Sequence, residues 1–263
     1  MERFHPGTCS GCRHRSLEGH ALNFTFHSRL SLFIRSLSIQ GSWNFPRMQG
    51  LGFFYTLLPW LRKVSGDGFK DACHRHLGYF NTNPYMSPYV LGVVSRLEEE
   101  GKGEESVKAR NSLMGPLGAM GDSYYWATLL PVTVLLCVAL SFFWMAAAPV
   151  VFILIYNTVH LRNRWTYLNR GYLNAHSPLE GASALNGKVF SRNMERMATP
   201  LLGFVLGMAA FGTRTPGISF IIFGVAFIMF RRQWRAPAIF ALLVTLGTLL
   251  GFLGTNMRIP WSG

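Results

Sequence analysis

Charged residues are scarce in this chain, at 14% of 263 positions, and acidic ones are scarcer still, with 12 Asp and Glu against 25 Lys and Arg. The apolar segments carry no clear paired acidic residues and no internal repeat of the kind that ion coupling uses, which argues against a stand-alone secondary transporter. Cysteine is equally thin, at four residues. Cys73 and Cys137 are isolated, and Cys137 sits in an apolar run where it acts as a small hydrophobe. Cys9 and Cys12 form a C-x-x-C with His5 and His14 nearby. No second ligand pair follows at finger-like spacing, so this region reads as a disordered leader rather than a zinc or redox site. No signal peptide is visible: the first apolar stretch, around residues 30–37, is short, interrupted by Arg35 and lacks a cleavage site. The N-terminus is therefore expected inside the cell. No metal and no cofactor is expected.

What the chain has in abundance is long apolar runs. From 124 to 161 aromatic and aliphatic residues continue almost without charge, and a spanning helix takes only about 20. Trp144, Ala146, Ala147, Ala148 and Pro149 divide this run near its middle, so it predicts two helices and a turn. Similar composition recurs at 200–230 and at 236–254. Arg162, Arg164 and Arg170 follow the first hairpin, and Arg231, Arg232 and Arg235 separate the last two runs. The positive-inside rule places both loops, and the Arg-rich N-terminal half, in the cytoplasm. The formal net charge of +13 thus flanks lipid-length segments instead of lining a soluble face, which removes nucleic acid as a partner. The expected fold class is all-α. It is a polytopic integral membrane protein, with amphipathic or re-entrant N-terminal helices and about four to five C-terminal apolar helices.

Along the chain, residues 1–28 are His-, Arg- and Gly-rich without periodicity and are expected to stand apart from a domain at 29–263. From 30 to 64 apolar patches alternate with Gly41, Pro46, Gly50, Gly52 and Pro59, which predicts interfacial helices or re-entrant segments rather than one span. Residues 69–80 place Phe69, Ala72, Cys73, His76, Leu77 and Phe80 at spacings of three and four, an amphipathic helix that stops at the turn before Pro84. His76, on the apolar face, reads as a hydrogen-bonded core residue rather than an acid or base. A second helix is predicted over 89–100, and the hydrophilic stretch 98–110 reads as solvated, a cytoplasmic linker or a helix start. The glycines and proline of 114–122 predict irregular backbone ahead of the first span. Asp122 is placed either to cap a helix starting at Ser123 or to line a polar path.

Three strings then stand out together: QGSWNFPRMQ at 40–49, HLGYFNTNP at 76–84 and LMGPLGAMGD at 113–122. Their order and spacing resemble the IID component of the mannose/fructose/sorbose family of bacterial phosphotransferase systems, over about residues 30–254 and most strongly before 161. The resemblance implies a non-catalytic permease subunit. A IIC membrane partner would complete the sugar path, soluble IIA and IIB proteins would carry the phosphoryl group, and a hexose or amino sugar would be the substrate of a hetero-oligomer. Members are similar to elevator-type carriers, in which broken helices cradle the substrate. Sugars are bound by amides and carboxylates together with aromatic faces, and the strings supply Trp43, Asn44, Gln49, Asn81, Thr82, Asn83 and Asp122 as candidates. Turn chemistry for the Asn residues and interfacial anchoring for Trp43 are the competing readings. The chain departs from the family pattern at 212–216, where a longer polar insertion is expected, so receptor behaviour toward bacteriocins or phage is not carried over. It also departs in residues 1–28, which fit an upstream start site. A membrane scaffold or regulatory remnant without transport is the alternative function.

Overall fold

The structure, a computed structural model, describes residues 24–185 together with 198, 201–205, 224–225, 228 and 245. The C-x-x-C of Cys9 and Cys12, the apolar run 236–254 apart from residue 245, and most of the run 200–230 lie outside the described residues, and so does the segment 212–216. Regular structure among the described residues is helical, as expected, with two isolated backbone bridges, Asn44 to Met48 and Met48 to Phe80.

The interrupted N-terminal stretch forms two helices, α1 (Phe26–Ser36) and α2 (Gly50–Val64), the latter carrying Pro59 inside it. Thr25 caps α1 by accepting from the Ser28 amide. At its other end Nη1 of Arg164 donates to the Ser36 carbonyl at 2.8 Å, a cation on the negative end of the helix. After a short turn comes α3 (Phe69–His76), four residues shorter than the periodicity predicts. It stops because Phe80 pairs as extended backbone: its amide donates to the Arg47 carbonyl and its carbonyl accepts from the Gln49 amide. Phe80 is still buried, but as part of that pairing rather than of a helical face.

Next is α4 (Ser87–Glu99), buried around nearly its whole circumference. Such a helix belongs to the interior, and α4 packs on α1, on α2 and on two helices that follow it. Its most extensive neighbour is α7 (Ala147–Leu173). The two backbones touch through glycine on both sides. A Cβ on Gly92 would lie 2.2 Å from the Leu168 carbonyl oxygen, and one on Gly171 would lie 2.1 Å from that of Tyr89.

The largest departure from expectation concerns 103–141. Residues 114–122 are not irregular: α5 (Gly103–Gly121) runs through Pro116, passes into a π-helical segment (Asp122–Leu129) and continues as α6 (Leu130–Ser141). Leu113, Leu117 and Gly121 are buried at a spacing of four while Gly115 and Pro116 face outward, so packing of one stripe overrides the poor propensity of these residues. The widened turn is visible in its bonding, where the Leu130 amide reaches the Tyr125 carbonyl five residues back. Among the described residues this continuous helix, Gly103–Ser141, is the one long and apolar enough to cross a membrane, with a mean hydropathy of 1.7 in its most apolar window. At 39 residues it reaches about 58 Å, roughly twice the hydrocarbon thickness of a bilayer.

The predicted hairpin is present. Between α6 and α7 the chain turns at 142–146, with Phe143, Trp144 and Met145 exposed at its tip. A short α8 (Pro178–Ser183) packs back on α5 and α7, and Tyr89 Oη donates to the Pro178 carbonyl.

The two glycine contacts give a direct test. Gly92→Val is expected to lower the thermal unfolding midpoint in detergent sharply, because the added carbons meet backbone that has no rotamer to yield, at the upper end of the roughly 1–3 kcal/mol that overpacking costs. Gly115→Ala, where nothing lies within 4 Å of the new Cβ, is expected to raise it, by about 0.5–1 kcal/mol of helix propensity.

Candidate functional site

The three strings singled out in the sequence meet at one place. Gln49, 2% exposed, faces the turn between α3 and α4 and pairs with Thr82 in the manner of a backbone strand: its Nε2 donates to the Thr82 carbonyl at 2.9 Å and its Oε1 accepts the Thr82 amide at 3.4 Å. The Thr82 hydroxyl donates to the Met114 carbonyl at 3.0 Å, which ties the same turn to α5. Asn83 completes the junction. Its Nδ2 donates to Asp122 Oδ1 at 2.8 Å, and its Oδ1 accepts the Tyr85 amide at 3.0 Å. Gly121 is required here, since a Cβ would lie 2.4 Å from the Asn83 side chain.

Asp122 is therefore not a helix cap. It lies inside a continuous helix at the start of the π-helical segment, where its carboxylate is exposed and holds Asn83. A π-turn in a helix is a frequent mark of a functional position, because the widened register aims side chains that regular geometry cannot. Met48 is the second irregularity, with φ +51. The left-handed conformation costs a non-glycine residue about 1–2 kcal/mol, and here it lets one backbone unit pair with Asn44 on one side and lie against Phe80 on the other.

The remaining candidates separate by exposure. Asn44 is half-buried and shapes its own loop, donating to the Ser42 carbonyl and accepting the Arg47 amide. Trp43 is 54% exposed. Asn81 is exposed and its backbone amide points at the Met114 sulfur, 3.3 Å away. The candidate set thus divides into buried residues whose polar groups are consumed by the turn (Gln49, Thr82, Asn83) and residues presented outward beside it (Trp43, Asn81, Asp122).

Directly behind the turn lies a charged cluster that the hydrophilic look of 98–110 concealed. Glu98, Ser106 and Arg110 are buried rather than solvated. Glu98 accepts at Oε1 from His76 Nε2 (2.9 Å) and from the Ser106 hydroxyl, and at Oε2 from Arg75 Nη2 (2.8 Å). Arg110 Nη1 donates to the Arg75 carbonyl at 3.2 Å and lies 3.5 Å from His76 Nδ1. Burial alone raises the Glu98 carboxyl, but the bonds from His76, Arg75 and Ser106 outweigh it and hold it at about 2. The His76 pKa is lowered as well, for a different reason. Burial lowers its pKa, the bond to Glu98 opposes this, and the charges of Arg110 and Arg75 lower it further. It is neutral at neutral pH. His76 is thus the hydrogen-bonded core residue its position on an apolar face suggests.

A second cluster, which sequence reasoning missed, sits on the α4–α7 side. Tyr85 lies between Tyr125, Trp126, Tyr156 and His160, with ring centroids 4.6, 5.4, 6.1 and 5.1 Å away, and the Arg164 guanidinium carbon is 5.2 Å from its ring centre. The signal was available: Tyr156, His160 and Arg164 fall at a spacing of four and share one face of α7.

The family model described as "PTS system mannose/fructose/sorbose family IID component" matches residues 24–211. The "Fructose permease IID component" of Bacillus subtilis (strain 168) is 34% identical over 151 residues, covering 54% of this chain and 55% of that protein. The "PTS system mannose-specific EIID component" of Escherichia coli (strain K12) is 35% identical over 150 residues, covering 54% and 53%. The chain spans about half the length of the curated relatives it matches. The fold is shared with the solved complex of "Mannose Transporter ManYZ and Microcin E492", with a TM-score of 0.55 at 21% identity over 90% of this chain and 98% of that one. A structure described only as a membrane protein gives a TM-score of 0.61 at 22% identity over 89% and 98%. The family match covers every element from α1 to α8 and all three strings of the junction: the chain belongs to the IID component family of the mannose/fructose/sorbose phosphotransferase systems.

Proposed function

We propose that this chain is the membrane IID subunit of a sugar-translocating phosphotransferase permease. It forms, with a IIC partner, the path of a mannose-type hexose or amino sugar that soluble IIA and IIB proteins phosphorylate during uptake. The observation that carries the reading is the junction itself. Three strings spread over residues 40–122 converge on one turn, and that turn stands beside the single described helix long and apolar enough to cross a membrane. Family membership supports the assignment to a IID component.

In this reading the chain performs no chemistry of its own. The outward-facing groups, Trp43, Asn81 and Asp122, supply an aromatic face, an amide and a carboxylate, which together match the apolar face and hydroxyls of a pyranose. Gln49, Thr82 and Asn83 fix where those groups stand, and Asn44 shapes the loop that carries Trp43. The hairpin tip at Phe143, Trp144 and Met145 and the outer residues Val150, Ile153 and Leu154 of α7 are exposed apolar surface, suited to lipid and to a IIC subunit. The membrane is the bacterial cytoplasmic one, crossed more than once, with the N-terminus inside. A core that moves as an elevator follows from the family likeness.

The test is uptake and phosphorylation of a panel of hexoses and amino sugars in cells lacking mannose-type permeases. The chain is expressed with its IIC, IIA and IIB partners, then omitted. Phosphorylated sugar is expected only when it is present; equal accumulation without it, with membrane expression confirmed, leaves the scaffold reading instead. Within that assay Asp122→Asn and Asn81→Ala are expected to reduce uptake about 2- to 10-fold, the worth of one hydrogen bond to a ligand, without loss of co-purification with IIC. Gln49→Ala is expected to act on assembly. It strands the buried Thr82 carbonyl and amide at about 1–3 kcal/mol each, so the yield of the complex should fall before its affinity for sugar does.

A further inference from the structure

The buried cluster behind the junction does more than fill space. An arginine only donates hydrogen bonds and a carboxylate only accepts them. His76 stands between the two, with Nδ1 toward Arg110 and Nε2 toward Glu98. A neutral imidazole protonated at Nε2 satisfies both neighbours at once: Nε2–H donates to Glu98 and the Nδ1 lone pair accepts from Arg110. The doubly protonated ring cannot, since it would turn an N–H toward a guanidinium.

The three residues also hold the α3 end of the turn. His76 is the last residue of α3, Glu98 lies near the end of α4, and Arg110 on α5 reaches back to the Arg75 carbonyl. Arg110 approaches Gly78 as well, where a Cβ would lie 3.6 Å from Nη2. Residues 77–83, which carry Asn81, Thr82 and Asn83, hang from this frame.

We infer that His76, Glu98 and Arg110 are positioning residues of the sugar path, a one-directional hydrogen-bond chain that sets the turn at 77–83 and holds it only while His76 is neutral. The inference rests on the permease reading above. Every element packed on the ring contributes a group to the balance: Arg75 from α3, Glu98 from α4, Ser106 and Arg110 from α5, and from α2 the uncharged Phe53 ring, 6.3 Å away. Glu98 favours the imidazolium; the two arginines and burial oppose it, and they prevail. In the folded protein the ring therefore takes up its second proton below the ordinary histidine value of 6.5. The unfolded chain binds more protons through that window, so stability rises with pH across it and the turn loosens as pH falls.

The experiment uses the assembled IIC–IID complex with its IIA and IIB partners and reads the half-saturating sugar concentration, the maximal rate and the pH profile of uptake. Wild-type uptake that depends on this chain establishes the permease reading first, so that its failure is separate from failure of this inference. His76→Leu is expected to raise the half-saturating concentration roughly tenfold with the maximal rate little changed, and His76→Gln, which keeps a donor toward Glu98, to recover most of the loss. Arg110→Gln replaces the cation facing Nδ1 by an amide whose oxygen can accept from a protonated ring, and is expected to flatten the acid limb of uptake and move it to lower pH. A purely structural role predicts lower yield of complex but an unmoved acid limb and no rescue by glutamine, and that result overturns the inference. Should the variants fail to assemble, hydrogen exchange of the wild-type complex decides. Corrected for intrinsic rates, the peptide over 77–86 is expected to lose protection between about pH 7 and about pH 5 while the peptide over α6 keeps it. Unchanged protection at 77–86 overturns the inference equally.

Discussion

The arrangement depends on how closely α4 and α7 approach one another. Two glycines, Gly92 and Gly171, let backbone meet backbone at distances no side chain permits. Small residues at a crossing are the device by which helices pack when lipid surrounds them and the hydrophobic effect between helices is weak. The consequence reaches both ends of α4. At its start the turn bearing Asn83 is delivered to α5 and the π-helical segment; at its end Glu98 is delivered to His76, Arg75 and Ser106.

Once α4 is fixed, the junction follows from hydrogen-bond accounting. Buried backbone at 80–83 has no helix or sheet to satisfy it, and such groups must find partners. Gln49 supplies a side-chain amide in the role of a neighbouring strand, the Thr82 hydroxyl serves the carbonyl of Met114, and Asn83 serves both its own turn and Asp122. Polar residues inside a membrane protein are expensive and so invite a functional reading. Here three of the seven candidates are accounted for by backbone satisfaction, which narrows direct ligand contact to the groups that remain outward.

The legible part of this structure was its patterning. The 124–161 run read as a helical hairpin with a turn at Trp144 because length and hydrophobicity carry that information locally. The strings that meet at the junction were recognisable as a set through the family they resemble, although nothing local shows that Gln49 faces Thr82 across 33 residues. Two readings failed for one common reason. The glycines and proline of 114–122 suggested broken backbone, and the charges of 98–110 suggested solvent. In both places tertiary contacts overrode composition: a buried stripe of Leu113, Leu117 and Gly121 kept the helix going, and a ring of donors around Glu98 made burial of charge tolerable. Charge counts carry no record of which charges meet.

Why the space behind the turn holds ions rather than aliphatic side chains is a question of direction more than of strength. Taking charges out of water offsets most of what their attraction returns, and apolar residues of similar volume often stabilise a fold equally well. Apolar packing, however, has no preferred axis along the contact, so a turn resting on it slides at little cost. A carboxylate with three donors aimed at two oxygens, and an imidazole aimed from one ring nitrogen to the other, define angles as well as distances. In a chain with only 12 acidic residues, placing one of them 5% exposed among an arginine, a histidine and a serine hydroxyl fixes the orientation of the 77–83 turn against the helix that leads into the membrane. Orientation is the property a sugar path requires, because hydroxyls are told apart by where donors point and not by how tightly the fold is held.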